Sequence, residues 1–252
     1  MNDRLEIKGR IFGEGKPLIC VPVMETEKDG IVSEIKNLIE QGVEMIEWRV
    51  DAFSGVSSLN AVRDVLFAIQ PLIADTILLF TFRSKEQGGI CSLTQEKVYD
   101  LHQVAAETKI VDLIDVEYLQ SEDINKEIRL LHKMGAKVVA SHHDFTETPS
   151  SDIMYMILEQ MKQSGADIVK IAVMPNSTDD VLRLLEETNH FHKRYANQPL
   201  ITISMGKLGC VSRVAGEVFG SCVTFGVGRT ASAPGQIAIK DLAHILDIME
   251  GK

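Results

Sequence analysis

Lys170 stands in the middle of Ile168-Val169-Lys170-Ile171-Ala172-Val173, a run otherwise suited to full burial. A strand centre gives a lysine little room to snorkel to water, so the residue needs a reason to be there. A desolvated amine near other cations gives up its proton more readily, and a neutral amine can attack a ketone to form an imine. His143 closes the run Ser141-His142-His143-Asp144-Phe145, and a histidine ordinarily titrates near neutrality, which suits a general acid and base. Other polar residues break into apolar runs in the same way. On Met45–Asp51, the period of two puts Glu47, Arg49 and Asp51 on one face and Ile46, Trp48 and Val50 on the other. Leu79, Thr81 and Arg83 share a face of the next run, as do Asp115 and Glu117 further on. An interior ion-pair network that fixes strand register would explain any one pair. It explains less well a lysine and a histidine aimed at the same place, since buried charge is costly.

The elements that must position these residues alternate along the chain. A probable hairpin over Leu5–Ile11, turning through Phe12–Gly15, precedes the strand Leu18–Val23. Helical periodicity follows over Ile31–Gln41, a strand over Met45–Asp51, a helix over Leu59–Ala74 and a strand over Ile77–Arg83. Next come a helix from Gln95 to about Glu107, the strand Leu113–Glu117, the helix Ile124–Met134 and the strand Lys137–His143. The remainder reads as helix Ile153–Gln163, strand Ile168–Val173, helix Asp179–Tyr195, strand Leu200–Met205, a helix near Val211–Val218, strand Ser221–Val227 and a last helix from Gln236 to about Ile248. Eight strand–helix units in 252 residues predict an α/β fold, a closed (β/α)8 (TIM) barrel with an N-terminal β-hairpin, as one domain over residues 1–252. An open doubly wound sheet is the competing reading. It would be expected to carry a glycine-rich turn after the first buried strand, where this chain has Met24-Glu25-Thr26-Glu27. Barrel enzymes place their sites at the C-terminal strand ends, where Glu47, Arg49, Arg83, His143 and Lys170 would converge.

The net charge of −10, from 26 basic and 36 acidic residues, gives no long-range pull towards nucleic acid or an anionic membrane. No apolar leader and no run of membrane-spanning length is seen, and the four cysteines (Cys20, Cys91, Cys210, Cys222) are widely spaced. The expectation is a cytoplasmic protein with reduced thiols. The histidines form no metal-binding spacing, with His190 and His192 on different helix faces, so neither a metal nor a cofactor is expected. Two glycine-containing loops remain. Gly206-Lys207-Leu208-Gly209 leads to Ser212-Arg213, and Gly228-Arg229-Thr230-Ala231-Ser232-Ala233-Pro234-Gly235-Gln236 reads as a lid over the barrel mouth. As phosphate-binding motifs both are weak.

The segments Glu47-Trp48-Arg49-Val50-Asp51, Phe80-Thr81-Phe82-Arg83, His143-Asp144-Phe145, Lys170-Ile171-Ala172, Ser212-Arg213 and Ser232-Ala233-Pro234-Gly235-Gln236 resemble type I 3-dehydroquinate dehydratase, in order and over nearly the whole chain. That resemblance implies a homodimeric barrel enzyme of the shikimate route to chorismate and the aromatic amino acids. It implies that Lys170 forms the imine with 3-dehydroquinate and that His143 is the acid–base group. It further implies that Glu47, Arg49, Arg83, Arg213, Ser232 and Gln236 bind substrate carboxylate and hydroxyl groups. The chain departs from the pattern in two places. Members usually carry Glu directly before Gly88-Gly89, where this chain has Gln87 with Glu86 offset by one, and Val21 stands where some relatives have serine. A class I aldolase on the same barrel would account for Lys170 but not for the arginines and the lid. A barrel that binds small carboxylates without turnover is the non-catalytic alternative.

Overall fold

The computed structural model describes residues 4–251. Two short antiparallel strands come first, β1 (Glu6–Ile7) and β2 (Arg10–Ile11). Eight parallel strands follow: β3 (Leu18–Val23), β4 (Met45–Arg49), β5 (Ile77–Thr81), β6 (Leu113–Glu117), β7 (Lys137–Asp144), β8 (Ile168–Val173), β9 (Leu200–Ser204) and β10 (Val223–Val227). Between them run α1 (Lys28–Glu40), α2 (Leu59–Ile69), α3 (Gln95–Thr108), α4 (Ile124–Lys133), α5 (Ser151–Gln163), α6 (Thr178–Arg194), α7 (Cys210–Val214) and α8 (Gly216–Phe219). A two-residue strand, β11 (Ile237–Ala238), lies beside Gly226 and Val227 of β10 and leads into α9 (Ile239–Glu250).

The eight parallel strands curl into the expected barrel. Side-chain alternation divides the core into two layers. Cys20, Met45, Leu79, Leu113, Val139, Ile168, Ile201 and Val223 point inward and fill the barrel. Val21, Ile46, Trp48, Phe80, Ile114, Val138, Val169 and Ile171 point outward under the helices. Hydrogen-bonded ladders run without a break from β10 through β3 to β9. Closure between β9 and β10 rests on a single bridge, Leu200 with Ser221. There the ladder is completed by a side chain, with Thr202 N–H donating to Ser221 Oγ at 3.0 Å.

The hairpin plugs the N-terminal end of the barrel, but it turns elsewhere than expected. Lys8 and Gly9, with φ of 49° and 75°, make the turn, a left-handed pair of the kind that joins tight hairpins. Phe12 opens a second turn, after β2, and is not the turn of the hairpin. Its ring is buried with Ile7 in the inner core, and its N–H donates to Leu5 O at 2.9 Å. Lys8 Nζ then caps the strand starts, donating to Ile73 O at 3.0 Å, Thr76 O at 2.7 Å and Asp112 Oδ2 at 2.8 Å.

Other boundaries shift for local reasons. The second helix stops at Ile69, five residues before Ala74, because Pro71 has no N–H with which to continue it. The strand beginning at Met45 ends at Arg49, where Val50–Ala52 bends into a 3-10 turn that brings Asp51 back to Arg49. The strand beginning at Ile77 likewise ends at Thr81, leaving Arg83 on the loop beyond it. The single helix expected near Val211–Val218 is two short ones broken at Ala215, and the last helix begins three residues after Gln236.

Candidate active site

One cavity at the C-terminal end of the barrel brings together all eight residues expected to act there. Glu47, Arg49, Arg83, His143, Lys170, Arg213, Ser232 and Gln236 all line it. Each is placed by strand periodicity or by the loop after a strand. Glu47 and Arg49 come from β4, His143 from β7 and Lys170 from β8. Arg83 lies just past β5, Arg213 on α7, and Ser232 and Gln236 on the loop after β10.

Two arginines are engaged by carboxylates of the protein itself. Arg49 makes a forked pair with Asp51, Nε to Oδ1 and Nη2 to Oδ2, both at 2.8 Å. Arg83 reaches Asp115 Oδ2 through Nη2 at 3.0 Å, and Glu117 Oε1 and Ser141 Oγ through Nη1 at 2.8 and 3.0 Å. Burial alone would lower the pKa of Arg83, but Asp115, Glu117 and Glu47 outweigh it and keep the guanidinium more firmly charged than usual. Burial alone would raise Asp115. The Arg83 and Lys170 charges and the hydrogen bonds from Ser141 and Arg83 outweigh it and hold its carboxyl below the ordinary range.

Lys170 is 3% exposed, with its Nζ 4.3 Å from the centroid of the Phe225 ring. Two carboxylates lie beside it, Glu47 Oε1 at 3.8 Å and Asp115 Oδ2 at 4.0 Å. Arg49 and Arg83 are satisfied by their own partners, and the lysine shares Asp115 with Arg83.

His143 is half-buried, and its pKa lies well below the usual histidine value. Burial is the main cause, reinforced by Arg83, Lys170, Arg49 and His142. Gln87 Oε1 accepts from the His143 backbone N–H at 2.7 Å and lies 3.2 Å from Nδ1. Glu86, one residue earlier, is exposed and lines a separate cavity with His102 and Glu127. Gln87 is therefore the residue that reaches His143.

Arg213 is different from the other arginines. It is 1% exposed, and among the described residues its hydrogen bonds run to main-chain carbonyls, Phe225 O at 3.4 Å and Pro234 O at 2.9 Å. Its Nε has no partner, and no carboxylate pairs with it among the described residues. Burial lowers its pKa, yet a guanidinium remains charged at neutral pH. In the loop after β10, Gln236 and Ser232 bond to each other: Ser232 N–H donates to Gln236 Oε1 at 2.9 Å, and Gln236 Nε2 to Ser232 Oγ at 3.1 Å.

Several members of the site were visible in the sequence without being assigned a role. Asp115, Glu117 and Ser141 lay on the inward faces by periodicity, yet which cation each would meet depends on neighbouring-strand register. Phe225 obeys the same alternation, but a phenylalanine on an inward face signals only core.

Fold and site together define the class, a (β/α)8-barrel enzyme whose polar centre sits at the C-terminal ends of its strands. The family model of type I 3-dehydroquinase matches residues 19–252, and the chain belongs to that family. It is 42% identical over 250 residues to the 3-dehydroquinate dehydratase of Clostridioides difficile, covering 99% of this chain and 98% of that one. It is 43% identical over 248 residues to that of Listeria monocytogenes, covering 98% of each. Among solved structures, a type I 3-dehydroquinate dehydratase from Clostridium difficile with covalent modified comenic acid superposes with a TM-score of 0.95 at 41% identity, covering 100% of this chain and 99% of that one. The 3-dehydroquinate dehydratase of Geobacillus kaustophilus also gives 0.95, at 33% identity, with 99% and 97% covered.

The buried pair yields a test of acid stability. Asp115 has a lower pKa folded than unfolded. Its contribution is therefore complete above the unfolded value near ~3.9 and is lost as pH falls from there through the folded value. Asp115→Asn removes that contribution at every pH. The variant should be less stable than wild type at pH 7, and the gap should narrow as urea midpoints are followed below about pH 4. A gap of constant size down to the lowest pH would mean that Asp115 is not held ionised by Arg83.

Proposed function

We propose that this chain dehydrates 3-dehydroquinate to 3-dehydroshikimate through an imine on Lys170, in the route to chorismate and the aromatic amino acids. Family membership supports the reaction, and one observation carries the reading of the site. Arg213 is a buried guanidinium with no carboxylate partner among the described residues, facing the same cavity as Lys170 and His143. A substrate carboxylate supplies the missing partner through a charge-assisted, forked pair. That pair orients the substrate ring against the lysine. Glu47, Arg49, Arg83, Ser232 and Gln236 are then the candidates for its hydroxyl groups. No cofactor or metal ion has a part in this scheme.

The steps follow from what each group can donate or accept. The unprotonated amine of Lys170 adds to the ketone carbon. The ketone oxygen takes one proton from that nitrogen and one from solvent and departs as water, leaving an iminium; the borrowed proton returns to solvent when the iminium is hydrolysed. His143 removes the adjacent proton, and the electron pair moves into the iminium, which accepts it far better than a ketone would. The pair returns to expel the β-hydroxyl, which takes the proton from His143 and leaves as water. Water then hydrolyses the iminium, freeing Lys170 and the conjugated enone. One water is consumed and two are released, so the net change is loss of one. The covalent modified comenic acid of the Clostridium difficile structure is in keeping with covalent chemistry in the family.

The resemblance also implies a homodimer, and we take a second copy of the chain as the partner. Exposed Ile153 and Met156 on α5 and Leu182 on the adjacent α6 offer apolar surface for it. Sedimentation of a Met156→Lys variant should show a shift towards monomer, and an unchanged dimer would place the interface elsewhere. Neither nucleic acid nor a membrane is a proposed partner, and no described helix is long and apolar enough to cross one. All four cysteines are unpaired, which fits the cytoplasm.

Two measurements test the chemistry. Incubation with 3-dehydroquinate followed by borohydride should reduce the imine to a stable amine that peptide mapping finds within 168–175. Lys170→Ala should give neither adduct nor activity. A label on Lys207 or Lys240, or activity retained without Lys170, would remove the imine from the scheme. Arg213→Lys keeps the charge but loses the fork, so it should weaken substrate binding by about 1–3 kcal/mol. An unchanged KM would show that the carboxylate is held elsewhere.

A further inference from the structure

We propose that Gln87 is the positioning residue for His143: its amide oxygen holds the imidazole as the Nδ1–H tautomer and turns an unprotonated Nε2 towards the cavity, with no negative charge behind the ring. The inference rests on the reading of His143 as the acid–base group.

The tautomer follows from which atoms can donate. A backbone N–H can only donate, so the Gln87 atom 2.7 Å from His143 N is the carbonyl oxygen and not the amide nitrogen. That same oxygen is 3.2 Å from Nδ1. An oxygen with no hydrogen can only accept, so Nδ1 carries the proton. In the neutral ring Nε2 is then bare and is the atom able to take a proton from a substrate.

The loop carrying Gln87 is pinned so that it cannot adopt another pose at low cost. Gln87 is 3% exposed and ends the short 3-10 turn Lys85–Gln87. Gly88 follows in the left-handed region at φ 85°, with the Phe145 ring where a side chain would stand. Gly89 packs so closely that a Cβ would lie 1.8 Å from Arg83 O. The loop is also tied at both ends to carboxylates of the buried ion pairs. Ser84 N–H donates to Glu117 Oε1 at 3.0 Å, and Ile90 N–H to Asp51 Oδ2 at 3.1 Å.

The electrostatic consequence comes from the residue type. Arg49, Arg83 and Lys170 face His143 from β4, the loop after β5, and β8. Glu47, Asp51, Asp115 and Glu117 lie behind them as counter-ions, and His142 and Asp144 flank it on its own strand. A carboxylate in the place of Gln87 would touch Nδ1 directly and stabilise the imidazolium. The amide carries no such charge, so no carboxylate at this position offsets the cations and the burial that lower the ring's pKa. Family members usually carry glutamate here, so this chain pairs the same histidine with a neutral partner.

The test uses the whole protein with 15N-labelled histidine and no substrate, with His143→Asn to assign the signals. Wild type should show a protonated Nδ1 and an unprotonated Nε2, and it should stay neutral well below pH 6.5. Gln87→Glu, nearly identical in shape, should raise the His143 midpoint by about 1–3 units. The acid limb of kcat/KM for 3-dehydroquinate should move up in pH with it, because the base must be neutral to act. Gln87→Leu should lose the tautomer preference and lower kcat more than it changes KM. An Nε2–H tautomer in wild type, or an unchanged midpoint in Gln87→Glu, overturns the proposal. If the tautomer and midpoint behave as expected but 3-dehydroquinate is not turned over, the assigned reaction fails and the role of Gln87 stands.

Discussion

The guanidinium of Arg83 holds the upper interior of the barrel together. Its two terminal nitrogens reach β6 at Asp115 and Glu117, and β7 at Ser141, while its own backbone N–H donates to Asp51 at 3.3 Å. Ser141 in turn donates to Asp115 at 2.7 Å. Charges this deep are tolerated only when they are paired with good geometry, and here each end of the guanidinium meets a carboxylate. The strands beneath Lys170 and His143 are thereby fixed in register by polar contacts as well as by the ladders. Asp115 stands between Arg83 and Lys170 and serves both, so the amine's position is coupled to that of the arginine.

The same bookkeeping separates structural from available charge. Asp51 occupies Arg49, and Asp115 with Glu117 occupies Arg83, whereas among the described residues Arg213 is held by carbonyl oxygens. A count of arginines near the mouth would treat the three alike. Their partners differ, and that difference is what the proposed carboxylate contact of Arg213 rests on.

Much of this was legible in the sequence because parallel barrel strands obey a strict period of two. Lys170, His143, Glu47 and the inward carboxylates announced themselves as polar interruptions on faces that should be apolar. Pairing was not legible. Which carboxylate meets which cation depends on the stagger between strands, such as Glu117 opposite Ser141 and Ser141 opposite Lys170, and no single strand encodes its neighbour's offset. The hairpin turn was misplaced for a related reason. Gly13 and Gly15 look like the turn, but burial of Phe12 inside the barrel extends the pairing and moves the reversal to Lys8 and Gly9. Gln87 and Glu86 could not be separated by spacing alone, because a 3-10 turn decides which of two adjacent side chains points inward.

The thinly bonded join between β9 and β10 has a bearing on how the molecule would respond to occupancy. Arg213 lies on α7, which connects those two strands, whereas Lys170 belongs to β8 on the unbroken side of the sheet. A molecule gripped at both points spans the one place where the cylinder lacks a full ladder. It acts there as a temporary rivet, supplying through its own bonds the cohesion that the backbone leaves out. Amides along that edge are accordingly where deuterium uptake should slow most when the cavity fills, since occupancy and the fastening of the cylinder are one thermodynamic event.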